Sequence, residues 1–197
     1  MSPEQTSGNR VCLFGGTFDP VHNAHLMIAR EAVTRFGLST VLFLPAGHPP
    51  HKQLSQVTPY RHRLRMVELA SASEPRFQVS MLEQGDQFSY SIDTIEALRR
   101  TLAPDVQLSF LIGSDAFDEI ETWHRWRDLL KAVEFIVVSR PSHDFRVPPG
   151  GQVQRLDGLA LPVSSTDIRA RIAKHEPTPE LPPAVRQYID ENHLYGS

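Results

Sequence analysis

Five short apolar runs alternate along this chain with stretches of helical period, and that order restricts the fold more than any other feature. The runs are Val11 to Phe14, Val41 to Leu44, Phe77 to Ser80, Val106 to Ile112 and Phe135 to Ser139. Helical patterns cover Ala24 to Phe36, Ile92 to Leu102, about Arg125 to Ala132, Thr166 to Lys174 and Ala184 to Glu191. Another is expected to start with Thr58 as N-cap and Pro59 in its first turn, and Gly37 marks the end of the first. Strands separated by helices cross over instead of forming hairpins. The expected fold is therefore α/β: a Rossmann-like, doubly wound parallel sheet with helices on both faces. In such sheets ligands bind beyond the carboxyl ends of the strands, and the candidate phosphate-binding residues follow strands one, four and five.

A chain of 197 residues, 40% hydrophobic, can bury one sizeable core. Residues 10–197 are expected to form a single domain behind a disordered polar tail of residues 1–9. The proline-rich stretches at 45–50 and 141–149 read as surface or active-site loops, since periodic structure resumes after each. No internal repeat is evident. A net charge of -3 and a pI near 6.3 argue against an electrostatic grip on nucleic acid or on an anionic membrane, so any phosphate ligand must be held locally. No apolar run approaches the ~20 residues of a membrane span, and the first nine residues lack the apolar stretch of a signal peptide. The single cysteine, Cys12, excludes an intramolecular disulfide and fits a reducing compartment. These features point to the cytoplasm and leave self-association open.

The segment Phe14-Gly15-Gly16-Thr17-Phe18-Asp19-Pro20-Val21-His22-Asn23-Ala24-His25 runs from an apolar strand through paired glycines to two histidines at a helix start. Gly15 and Gly16 allow a ligand close to the backbone, and His22 and His25, three apart, share one helix face. A helix N-terminus adds N–H donors and a positive dipole end. Together these features describe a phosphate site. A second lies at Ser164-Ser165-Thr166-Asp167-Ile168-Arg169, which reads as a capped helix start. Capping explains the hydroxyls. It does not explain Arg169, a cation placed where the helix dipole disfavours one, and a bound anion would.

Other histidines invite a plainer reading. His62, His143, His175 and His193 are taken as surface or capping residues. His22, His25, His48 and His51 crowd the first quarter of the chain, but no spaced cysteine set and no His-Glu-x-x-His helix accompanies them, so a structural zinc site is the weaker reading and no metal ligands are assigned.

These segments resemble the signatures of the nucleotidyltransferase superfamily, and most closely those of bacterial nicotinate-nucleotide adenylyltransferases. The resemblance spans nearly the whole chain: Gly15 to His22, Pro49-Pro50-His51-Lys52, Ser89-Tyr90-Ser91 opening a helix, Gly113-Ser114-Asp115 with Trp123 following, Ser139-Arg140-Pro141, and Tyr188-Ile189 with Leu194-Tyr195. The first motif alone marks the superfamily; the ordered set marks this member. Where the family usually has glycine between the two histidines, this chain has Ala24, whose methyl would narrow the approach to the nucleotide.

The resemblance implies transfer of AMP from ATP to nicotinate mononucleotide, with Mg²⁺ carried in on ATP. It assigns His22, His25 and Arg169 to catalysis, and Gly15, Gly16, Thr17, Phe18, Lys52, Ser165 and Thr166 to ATP. Tyr90, Ser91, Asp115, Trp123, His124 and Arg140 fall on the acceptor side, with Trp123 against the pyridine ring and Trp126 left as the core residue. Two other readings stay open. One is another adenylyl- or cytidylyltransferase of the superfamily, such as a pantetheine-phosphate adenylyltransferase, against which Ser89 to Ser91 and Trp123 argue. The other is a non-catalytic nucleotide-binding module.

Overall fold

The computed structural model describes residues 9–48, 57–85, 88–139, 144–159 and 163–197. Apart from Asn9, the expected N-terminal tail lies outside the described residues, as do Lys52, Arg140 and parts of both proline-rich loops. The strands are β1 (Arg10–Gly16), β2 (Thr40–Pro45), β3 (Phe77–Val79), β4 (Gln107–Gly113), β5 (Glu134–Val138) and β6 (Val153–Leu156). They form one sheet in the order β3-β2-β1-β4-β5-β6, with every neighbouring pair parallel. The order runs outward from β1 in both directions, so the sheet is doubly wound and its topological switch lies between β1 and β4.

Residue alternation along the strands explains the two-sided core. Cys12, Phe14, Val41 and Phe43 face α1 (Asn23–Phe36), α2 (Tyr60–Ser71), α6 (Ser165–Ala173) and α7 (Pro183–Glu191), meeting Ala29, Met66, Ile168 and Ile189. Val11, Leu13, Leu42 and Leu44 face the other way, toward α3 (Ser91–Arg99), α4 (Ser114–Asp118) and α5 (Trp126–Ala132), and meet Ile95, Phe117 and Leu129. A fully buried side chain of this size contributes roughly 1.5–3 kcal/mol, so neither layer can be stripped without loss of the fold. Among the described residues, no helix is long and apolar enough to cross a membrane.

Several local expectations change in three dimensions. β6 was not expected: its sequence Val-Gln-Arg-Leu buries only Leu156, because it is an edge strand with a largely polar surface. Thr58 does not cap α2. Pro59 occupies the cap position, and the Thr58 N–H donates instead to Asp19 Oδ2 at 3.1 Å. α3 stops at Arg99, where the Thr101 and Leu102 N–H groups turn back onto the Leu98 carbonyl. α1 ends as expected, at Gly37 in the left-handed region with φ 60°.

Candidate active site

β1 runs through Gly15 and Gly16 into a turn in which Phe18 has φ 49°. A Cβ on Gly16 would meet the Phe18 ring at 3.0–3.2 Å, and one on Gly15 would meet Phe110 at 3.2 Å. The glycines thus also make room for the protein's own aromatic rings. Phe18 itself is buried against Phe14, Phe43 and His25, so its side chain supports the site from beneath and only its backbone can reach a ligand.

His22 is the residue before α1 and His25 closes its first turn, so the pair meets across the cap, not along one helix face as expected. Their rings stack at 3.8 Å. The His22 N–H donates to His25 Nδ1 at 3.2 Å. Because that nitrogen accepts, the neutral His25 ring carries its hydrogen on Nε2, a donor suited to a phosphate oxygen. Burial, reinforced by the neighbouring His22, holds His25 well below the usual histidine range. His22 is lowered to about 4 by burial, opposed by Glu180, and its Nδ1 has no partner. Both rings are neutral at pH 7. The helix start offers fewer N–H groups than expected, since that of Asn23 goes to the Glu180 carbonyl at 2.8 Å.

α6 brings its own N-terminus to the same place. Ser164 caps it by accepting from Asp167 N–H at 3.1 Å. The Ser165 hydroxyl donates to the Pro20 carbonyl at 2.9 Å, and Arg169 Nη1 donates to the Asp19 carbonyl at 2.6 Å. The second phosphate segment is thereby stapled to the first. Arg169 is half-buried, with Nη2 also 3.4 Å from Thr166 Oγ1.

Beside the β1 loop, at the switch point, lies a cavity of about 590 Å³, well within the range of nucleotide-sized ligand sites. One wall is Gly15 to Thr17; facing it are Tyr90 and Ser91 at the start of α3, together with Trp123 and His124. His124 stacks on Tyr90 at 4.4 Å, and Trp123 meets Phe110 edge-on. Asp115 follows β4 in the first turn of α4, exposed, and does not line this cavity. Ala24, buried in α1, does not line it either, and neither do Phe18, His22, His25, Ser165, Thr166 or Arg169, which lie beyond the Gly15 to Thr17 edge. Trp126 packs against the helical core layer, the role expected of it.

A buried charge and a half-buried one escaped the sequence reading. Arg63, 1% exposed, donates to the carbonyls of Thr58, Thr17 and Gly47 at 2.8, 2.8 and 3.4 Å. Glu83 lines the cavity, accepts from Thr94 Oγ1 at 2.9 Å, and is raised above the usual carboxyl range by burial. Arg63 lies among Arg61, His62 and Arg65, and Glu83 beside Gln84, so neither stands out in the sequence, and only packing reveals which side chain is drawn inward. Among the described residues, no group of three or more His, Cys, Asp or Glu side chains is placed to hold a metal ion.

A family model described as cytidylyltransferase-like matches residues 13–171. The chain is 53% identical to a Solibacter usitatus protein named "Probable nicotinate-nucleotide adenylyltransferase" across 95% of its own length and 100% of the relative's. The chain belongs to the nicotinate-nucleotide adenylyltransferase family. A Moorella thermoacetica relative of the same name is 41% identical, covering 96% of this chain and 93% of that one. Among solved structures, a Plasmodium falciparum nicotinic acid mononucleotide adenylyltransferase complexed with NaAD has the same fold, with a TM-score of 0.80 at 19% identity over 95% of this chain and 97% of that one. The family assignment covers the site, since all the motifs from Gly15 to Arg169 lie within the matched residues.

Proposed function

We propose that this chain transfers the adenylyl group of ATP to the phosphate of nicotinate mononucleotide, giving nicotinate adenine dinucleotide and pyrophosphate. One observation carries the reading beyond the family assignment. A single cavity is lined both by the Gly15 to Thr17 loop, which leads into the His22 and His25 turn, and by Tyr90, Ser91, Trp123 and His124, so an aromatic acceptor in it lies next to the phosphate-binding segment. Residues 10–197 act as one nucleotidyltransferase domain, working in the cytoplasm.

The nucleophile is a phosphate monoester, whose second ionisation lies near pH ~6, so it is already ionised at neutral pH and needs no general base. Its oxygen attacks the α-phosphorus; the bond to the bridging oxygen breaks and its electron pair leaves on pyrophosphate. The protein's task is to hold two anions in line and stabilise the charge that develops. His25 Nε2–H serves the α-phosphate and His22 the phosphates beside it. The backbone of Gly15, Gly16, Thr17 and Phe18 lines the path. Arg169, with the first N–H groups of α6 at Ser165 and Thr166, takes the β- and γ-phosphates. Mg²⁺ enters with ATP as part of the substrate, held by phosphate oxygens and water, and supplies further charge there.

On the acceptor side, Trp123 stacks on the pyridine ring, Tyr90 walls it, and Asp115 accepts from ribose hydroxyls. The N–H groups at Ser91 and His124 bind the nicotinate carboxylate, which they prefer to an amide because an amide NH₂ would set donor against donor. Lys52 and Arg140, outside the described residues, keep the phosphate-side and acceptor-side roles that the motifs imply.

The test is pyrophosphate release from ATP and Mg²⁺ with nicotinate mononucleotide, nicotinamide mononucleotide or phosphopantetheine as acceptor. Preference for the first is expected. Release with another acceptor reassigns the acceptor pocket, and no release with any overturns the enzymatic reading.

A further inference from the structure

The Leu194-Tyr195 motif at the end of the chain has no part in the roles above, yet it reaches the phosphate site. A short 3-10 turn, Leu194–Gly196, packs on α6 and α7, and the Tyr195 hydroxyl donates to Asp19 Oδ1 at 2.6 Å. The pair spans 176 residues of sequence. Asp19 is buried at 4% exposure, and each of its acceptor oxygens is used. Oδ1 takes Tyr195, Oδ2 takes the Thr58 N–H, and the main-chain oxygen takes Arg169 Nη1. The neighbouring Arg63 guanidinium fastens the far side by binding the Thr58 and Thr17 carbonyls.

The turn that delivers the hydroxyl is itself strained. Tyr195 has φ 61° and His193 φ 51°, left-handed conformations that non-glycine residues adopt at a cost and keep only where surrounding contacts hold them. Burial and the Asp19 carboxylate raise the phenol's ionisation and outweigh Thr58 and Arg169, which lower it, so at working pH it stays protonated and donates.

We propose that Tyr195 is a positioning residue for adenylyl transfer. Through Asp19 it fixes the carbonyl against which Arg169 is braced, and so sets where the guanidinium meets the leaving pyrophosphate. The hydroxyl touches no substrate. Its removal frees one carboxylate oxygen of Asp19, lets the Phe18 to Pro20 turn shift, and loosens Arg169 relative to His25 while leaving the acceptor cavity as it was. A displaced catalytic group costs rate steeply, because in-line geometry is what the site contributes. This inference rests on the adenylyltransferase reading.

The experiment measures kcat and both KM values for pyrophosphate release with Mg²⁺-ATP and nicotinate mononucleotide in wild type, Tyr195→Phe, Asp19→Asn, Arg169→Ala and the Tyr195→Phe/Arg169→Ala double variant. Leu194→Ala, in the same turn but without a polar contact to the site, controls for simple loosening of the terminus. Tyr195→Phe is expected to lower kcat roughly tenfold, the scale of a lost hydrogen bond to a charged group, with KM for nicotinate mononucleotide within about twofold. Asp19→Asn should act in the same direction, and Leu194→Ala should lower the melting temperature with kcat near that of wild type. The double variant should be no slower than Arg169→Ala alone, because the phenol acts only through that guanidinium. Wild-type kcat retained in Tyr195→Phe, or a loss that multiplies fully with that of Arg169→Ala, overturns the proposal. So does failure of both Tyr195→Phe and Asp19→Asn to fold at the assay temperature, since the contact would then be one of stability. A wild type that releases no pyrophosphate would instead sink the functional reading, a result separable from all of these.

Discussion

The starts of α1 and α6 meet at the proposed phosphate site but are built by opposite means. At α1 the donors are two stacked imidazoles, both neutral, with His22 only 4% exposed and His25 half-buried. At α6 a serine cap leaves the helix end open, and Arg169 carries a permanent charge at a half-buried position. A neutral N–H donor can be buried cheaply and, in a dry site, it is strong where charge appears only in the transition state. A guanidinium cannot be buried so cheaply, and it suits the polyphosphate charge already present in the ground state. On the proposed mechanism the α1 start is therefore mainly the catalytic half, and the α6 start mainly the gripping half.

The sharpest way to break this division is His25→Ala. Loss of at least about 10²-fold in kcat is expected, the scale of one transition-state donor, with little change in ATP affinity measured by equilibrium binding. A kcat near wild type would remove His25 from the mechanism. Arg169→Ala should differ in kind, lowering kcat/KM for ATP by roughly 30-fold, about tenfold of it in kcat and the rest in a raised KM for ATP, as for a hydrogen bond to a charged group. If its loss lay wholly in kcat, the two halves would not be distinct.

A third prediction concerns stability. In the unfolded chain His22 titrates near ~6.5, whereas in the fold it is lowered to about 4, so as pH falls the unfolded state takes the proton first. The stability is complete above about pH 6.5 and is lost progressively down to about pH 4. Between pH 7 and 5.5 the cost is roughly 1 kcal/mol, or a few degrees in Tm, and His25 adds in the same direction. Calorimetry of wild type against His22→Gln checks it, since the variant should show a flatter profile. The smallest effect is expected at Ala24. Because its methyl is buried within α1, Ala24→Gly should cost about 0.5–1 kcal/mol of stability through helix propensity. Its ATP dissociation constant should stay within twofold of wild type; clear tightening would restore the view that the methyl crowds the nucleotide.

Much of the fold was legible because its signals are local. Alternating apolar runs and helical periods identify the first five strands and most helices, Gly37 terminates α1, and Ser164 caps α6, each depending only on residues within a turn or a strand of one another. β6 was not, since an edge strand of Val-Gln-Arg-Leu carries too little buried surface to leave an apolar run. The two phosphate segments were recognisable for the same reason as the helices: glycines, histidines and a capped start occur at short, fixed spacing. That His22 sits at the cap and not on the helix face, and that Gly15 and Gly16 accommodate Phe110 and Phe18, could be known only once distant rings were packed above them.

The sequence by itself thus determined a doubly wound parallel sheet with a glycine-containing loop and a helix start after its first strand, through periodicity and short-range steric preference. The tertiary structure alone decided which polar residues are buried and what they hold. Arg63 binds carbonyls in two loops, that of Thr17 after β1 and those of Gly47 and Thr58 between β2 and α2, Glu83 enters the cavity wall, and Tyr195 finds Asp19 from the far end of the chain. A polar side chain looks solvated in any window of sequence. Whether it is drawn from water depends on surfaces brought together by the whole core, and that information is not local.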